Sequence, residues 1–192
     1  MARRTKEDAA STREHLLDTA EVVFLREGVA RTSLQRIADA AGLTRGAIYW
    51  HFKDKVEVFN AMMERVRLPC EAAHDAQAQS LTQETDPVEA LRAFAWVPMA
   101  RMLDDERTRR VFTIAIHCTE YSDEMRPVLE RHLAAMEDFR GRTERMIAGG
   151  QARGVFDAGV DARAASVGFM ALVDGLLSRA TLGAVEVGDV GG

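Results

Sequence analysis

Residues 32–55 read TSLQRIADAAGLTRGAIYWHFKDK, and this stretch decides the fold. It is two short helices joined by a tight turn. Thr32 and Gln35 make a Thr-x-x-Gln capping box for the first helix. Leu34, Ile37, Ala38 and Ala41 then share one face at helical spacing. Gly42 supplies the left-handed stop after Ala41, and Ala38 is small where two helices must approach. Thr44 caps the second helix, with Ile48 and Phe52 as its apolar side. The pattern is a helix-turn-helix, whose second helix enters the DNA major groove.

The rest of that second helix suits DNA better than a core. Arg45 can fork onto a guanine edge. Gly46 lets the backbone come close. Thr44, Tyr49 and His51 can donate to phosphates, which fixes register more than it reads sequence. With Thr32, Ser33 and Trp50, and with Lys55 as a positive charge just beyond the helix, these are the candidate DNA-binding residues.

Working outward, Ser11-x-x-Glu14 is a second capping box, and it predicts a first helix starting there and ending at Gly28. Leu16, Leu17, Ala20, Val23 and Phe24 are its inner face. Phe24, Ile37, Ile48 and Phe52 should form the core of a three-helix unit over residues 1–54. Upstream, Arg3, Arg4 and Lys6 read equally as a solvated tail or as an arm toward the minor groove.

At this point the residues resemble a known family. TRGAIYWHFKDK, preceded by TSLQRIADAAG, is similar to the DNA-binding domain of the TetR family of transcriptional repressors. The opening MARRTKEDAASTREHLLDTAEVVFLREGVARTSL resembles the AcrR-type multidrug-efflux repressors within it. The dense match ends near residue 60; beyond it only the helical layout agrees. The resemblance implies a repressor of an efflux operon, released from palindromic operator DNA by small hydrophobic or cationic compounds. It also implies that the fourth helix carries the ligand signal to the DNA heads.

Composition agrees with an all-α chain. Of 192 residues only 4 are Pro, and alternating strand-like runs are absent. No uninterrupted apolar run approaches the ~20 residues of a membrane span, and the polar, basic start is not a secretory signal. A cytoplasmic protein is expected. The net charge is −5, yet it is unevenly spread. Residues 1–56 hold 10 Lys and Arg against 8 Asp and Glu, and the remainder holds 15 against 22. A basic reader on an acidic body keeps the body off DNA.

Residues 55–182 should form a helical body for ligand binding and dimerisation, with 183–192 as a frayed tail. Asp54 and Glu57 start the fourth helix, which Pro69 and Cys70 interrupt. Residues 71–86 are polar and weakly periodic. Asp86-Pro87-x-Glu89 restarts helix, Pro98 should bend it, and residues 104–110 lead into another. Ser122 can cap a long helix ending at Gly149, Gly150 and Gly154, and Asp161 can cap the last.

The last helix is apolar over too wide a face for an exposed helix. Ala165, Gly168, Phe169, Leu172 and Leu176 suit a homodimer through a four-helix bundle; the alternative is the core of a single chain. Phe94, Trp96, Met99, Met102, Phe112, His117, Met136, Phe139 and Met170 are candidate linings of an adaptable apolar pocket, although such residues are also ordinary core. Glu120 and Asp138 are candidate acids for a cationic ligand.

No enzyme constellation is present. There is no glycine-rich phosphate loop, and His15, His51, His74, His117 and His132 do not pair at metal-ligand spacing, so no cofactor or metal is expected. Cys70 and Cys118 read as two reduced thiols, with a redox- or metal-responsive regulator of the same fold as the alternative function.

Overall fold

The computed structural model describes residues 2–66 and 86–188. Every regular element among them is helical. In chain order they are α1 (Ala2–Glu27), α2 (Leu34–Ala40), α3 (Arg45–His51), α4 (residues 55–66), α5 (Pro87–Asp104), α6 (Glu106–His117), a 3-10 turn (Asp123–Met125), α7 (Arg126–Ala152) and α8 (Ala162–Gly188). Cys70, the expected break at Pro69 and the polar stretch to 85 lie outside the described residues.

The helix ends follow their local chemistry. Gly28 at φ 81°, Gly42 at φ 66° and Gly154 at φ 72° are left-handed stops, where a Cβ would be strained. Asp54 accepts from the Glu57 amide at 2.8 Å while Glu57 accepts from the Lys53 amide at 2.8 Å, a reciprocal cap on α4. Asp86 accepts from Val88 at 3.0 Å at the start of α5, and Asp161 accepts from Ala164 at 3.0 Å at the start of α8.

Four expectations are corrected. α1 begins at Ala2 rather than at Ser11, because nothing between them breaks a helix and its Arg, Lys, Glu and Ala residues favour one. Ser33, not Thr32, caps α2, accepting from the Arg36 amide at 3.1 Å. α7 passes through Gly149 and Gly150 to Ala152, and α8 runs on to Gly188, six residues into the expected tail. Apart from these four, Pro98, where a bend is expected, lies inside α5, which continues past it to Asp104.

Phe24, Ile37, Ile48 and Phe52 are buried together as expected. Each contributes about 1.5–3 kcal/mol by leaving water. The cluster does not stop at residue 54, however. Val58, Phe59, Met62 and Val66 of α4, Val111 and Ile114 of α6, and Met125 and Val128 complete it. The helix-turn-helix unit therefore stands on α4, α6 and the 3-10 turn as one packed body. Two bonds lock the same seam: Val29 N–H donates to Cys118 O at 2.9 Å, and Lys55 Nζ lies 3.0 Å from Glu124 Oε2. α5 to α8 pack on one another as the second bundle.

Candidate nucleic-acid interface

α2 and α3 are held apart by a turn in which Leu43 N–H donates to Ala38 O at 2.9 Å. Thr44 begins α3 and accepts from the Ala47 amide at 3.2 Å. Ile48 alone anchors α3 inward, followed by Phe52 just past its end. α1 braces the turn: His15 Nε2 donates to Ala41 O at 3.1 Å, and the Arg13 guanidinium lies over the Phe52 ring at 5.1 Å.

The outer face of α3 is therefore free of packing duty. Thr44, Arg45, Gly46, Tyr49 and Trp50 are all exposed, Trp50 at 72%. An indole this open adds little to the core. The Arg45 guanidinium stands over the Tyr49 ring at 5.3 Å, a cation–π contact between two exposed side chains. His51 is half-buried, its ring edge-on to Trp50 at 4.5 Å. Burial, then the neighbouring Arg13 charge, pushes its pKa below the ordinary value. A neutral imidazole remains a hydrogen-bond donor.

Two expected members stand elsewhere. Thr32 is buried and donates its hydroxyl to Gly28 O at 2.7 Å, so that group is spent inside the head. Lys55 is 5% exposed and gives its ammonium to Glu124 and to Ala30 O. Ser33 is exposed, but its hydroxyl caps α2. Sequence reasoning missed Lys53, a cation in the turn after α3 that is 79% open to solvent and only loosely paired with Asp54, at 4.0 Å. Its place in the same FKDK run was the available signal.

In the second bundle the pocket candidates divide. Phe94 and Phe139 stack with ring centroids 4.3 Å apart, joining α5 to α7. His117 Nε2 donates to Thr181 Oγ1 at 2.9 Å, joining α6 to α8. Met99, Met136 and Met170 are half-buried and Met102 is fully buried. Trp96 points to solvent on α5, and Phe112 packs against the head core. Both depart from the expected lining, because α5 and α6 carry apolar groups on more than one face. Asp138 is exposed and paired with Arg142 at 2.9 Å, and Glu120 is exposed.

α8 is two-sided. Ser166, Val173 and Thr181 are buried within the chain, while Val167, Leu172, Leu176 and Leu182 are exposed, Leu172 at 60%. Gly168 sits in the exposed strip with open space where a Cβ would be. Ala165 and Phe169 are half-buried beside it. By length and composition, Ala162–Leu182 could cross a membrane. Arg163, Asp174 and Arg179 interrupt it, so it is not an uninterrupted apolar run in the sequence.

Among the described residues no group of three or more His, Cys, Asp or Glu is arranged to hold a metal ion. Burial pushes the Cys118 thiol up from its ordinary pKa, which disfavours a reactive thiolate.

Comparison with known proteins bears on this geometry. The family profile described as "Bacterial regulatory proteins, tetR family" matches residues 16–62. The chain is similar to the HTH-type transcriptional regulator TtgR of Pseudomonas putida, 37% identical over 181 residues, covering 93% of this chain and 84% of the relative. Among solved structures it resembles NalD, the secondary repressor of the MexAB-OprM multidrug efflux pump in Pseudomonas aeruginosa, with TM-score 0.78, 36% identity and coverage of 91% and 86% of the two chains. It also resembles SmeT of Stenotrophomonas maltophilia in complex with triclosan, with TM-score 0.68, 32% identity and coverage of 93% and 90%.

Proposed function

The chain belongs to the TetR family of bacterial regulatory proteins, and from that premise we propose that it is a cytoplasmic, dimeric repressor of a multidrug-efflux operon, released from its operator by small hydrophobic or cationic compounds. The observation that carries the reading is the outer face of α3. Arg45, Tyr49 and Trp50 are exposed on a helix that a single inward residue, Ile48, ties to its core. Arg45 reads a base edge in the major groove; Thr44, Tyr49 and His51 hold phosphates; Gly46 lets the backbone approach. Lys53 joins them as a phosphate contact.

One head touches too few bases to be selective, and a palindromic operator needs two recognition helices about 34 Å apart. The exposed strip of α8 supports a second copy as partner, with Gly168 allowing close approach. Residues 1–54 are then the reader and 55–182 the ligand and dimer unit. The stacked Phe94 and Phe139 rings with Met99, Met136 and Met170 are the adaptable apolar surface for a ligand. A ligand releases DNA only by preferring the state in which the two heads no longer match the operator; equal affinity for both states shifts nothing.

The test is fluorescence anisotropy on duplex DNA from upstream of the protein's own gene and on a scrambled duplex, repeated across salt and with triclosan or a cationic dye added. Specific binding that a compound releases supports the reading. Equal binding to selected and scrambled duplexes, after unbiased site selection, rejects it.

A further inference from the structure

The sequence gives no hint of what holds the reading head at its angle, because the residues concerned are far apart in the chain. At the seam of α1, α4 and α6 the side chain of Glu21 is fully buried. Its two oxygens are divided between two helices. Arg65 of α4 donates to Oε1 at 2.9 Å, and Arg110 of α6 donates to Oε2 at 3.0 Å. Arg65 also reaches Asp18 Oδ1 at 2.5 Å and Glu14 Oε2 at 3.2 Å. Arg107 of α6 reaches the same Asp18 oxygen at 2.9 Å, and its Nε stands farther off, 3.9 Å from Glu21 Oε1. Thus α1 presents Glu14, Asp18 and Glu21 as one acidic stripe, and α4 and α6 answer it with arginines.

Stability alone does not call for this arrangement. A well-packed apolar side chain at position 21 would avoid the desolvation of a buried carboxylate. Apolar contacts, however, tolerate sliding, whereas a carboxylate shared by two guanidinium groups has one good geometry. A shift of α4 or of α6 along α1 breaks one of the two bonds to Glu21. α6 belongs to the second bundle, where the proposed ligand surface lies, and α4 shares its buried core with α6. The head is pinned again beyond the end of α1, by Val29 on Cys118 and Lys55 on Glu124. Without the Glu21 bonds the shared apolar core still joins head and body, but the tilt of the head about that second pin is less tightly specified.

We propose that Glu21 is a positioning residue that, through Arg65 and Arg110, fixes the head against the body and so sets the operator half-site spacing a dimer accepts. This rests on the two-headed reading given above. It assigns Glu21 no contact with DNA. Its effect is on the distance and phase between recognition helices and not on what each helix reads.

The experiment separates those two quantities. An operator is selected from a randomised duplex library with the full-length wild-type protein. Affinities are then measured on duplexes whose half-sites are moved by one and two base pairs, and on duplexes with one base changed in a half-site. Two base pairs displace a half-site by about 7 Å and turn it by about 70° around the duplex. For the wild type we expect a two-base-pair change to cost about tenfold or more, comparable to a mismatched base pair.

In Glu21→Gln and in Arg110→Gln the spacing penalty should fall to within about threefold, with the base-change penalty unaltered. Should Glu21→Gln fail to fold, Arg110→Gln leaves Glu21 bonded to Arg65 and carries the test. Spacing preference that survives in a folded variant overturns the proposal. So does parallel loss of spacing and base preference, which marks general loosening of the head. A wild type that prefers sequence but not spacing rejects the two-headed reading instead.

Discussion

Lys55 holds Glu124 at 3.0 Å across the seam between the reading head and the 3-10 turn. The cation just past the recognition helix is thereby committed to the body. Its stem is buried, while Glu124 is half open to water, so losing the lysine strands no buried charge. Lys55→Ala should lower stability by about 1–3 kcal/mol, mostly through the lost packing of the stem. The operator affinity should keep its salt dependence. Each phosphate contact removed lowers the slope of log K against log salt by about 0.9. A drop of that size in Lys55→Ala, with none in Lys53→Ala, would return Lys55 to the DNA surface.

Glu27 and Arg36 make a second prediction. Hydrogen bonds from Arg36, then from Arg26, hold the Glu27 carboxyl at about 2, below its ordinary value of 4.5. A depressed carboxylate stabilises the fold above its unfolded pKa and loses that contribution as pH falls through the folded one. The contribution is therefore complete above about pH 4.5 and fades toward about pH 2. Arg36→Met should unfold at lower urea than wild type at pH 7, and the gap should narrow at pH 3. A gap that is constant with pH would show that Arg36 acts through packing alone.

What was legible in the sequence was local. Gly28, Gly42 and the Asp86 and Asp161 caps act within a few residues of themselves, so their chemistry could be read directly. Ile48 and Phe52 were legible because a seven-residue helix has only one side to bury. The choice between Thr32 and Ser33 as cap was not. Both are hydroxyl residues before Leu34, and the decision falls to the Gly28 carbonyl that accepts from Thr32. The fate of Lys55 depended on residue 124, and that of Glu21 on residues 65 and 110. No spacing rule connects such pairs. Trp96 misled for another reason: α5 carries apolar side chains around much of its circumference, and periodicity does not say which of them faces inward.

The strip on α8 predicts its own disruption. Leu172 is 60% exposed, so Leu172→Asp should leave the melting temperature of an isolated chain unchanged. In a two-fold dimer the charge enters the interface twice. An unpaired buried charge costs about 3–5 kcal/mol, enough to weaken association by at least about a hundredfold. Sedimentation equilibrium at micromolar protein should find monomer for Leu172→Asp. Wild-type mass in the variant would place the partner surface elsewhere.

Gly149 and Gly150 are neighbours in α7 and should respond in opposite directions to the same change. A Cβ at Gly149 meets nothing within 4 Å, whereas one at Gly150 would lie 2.3 Å from Phe156 Cδ2 and 3.2 Å from Pro87 Cβ. Gly149→Ala should therefore stabilise by up to about 1 kcal/mol through helix propensity. Gly150→Ala must displace the Phe156 ring from the end of α7, at a cost of about 1–3 kcal/mol. If the ring is the cause, Gly150→Ala should cost little once Phe156→Ala has removed it. Urea unfolding of the two single variants and of the Gly150→Ala, Phe156→Ala double variant closes that cycle. A Gly150→Ala penalty that persists in the Phe156→Ala background would mean that Pro87, at the start of α5, is the obstruction.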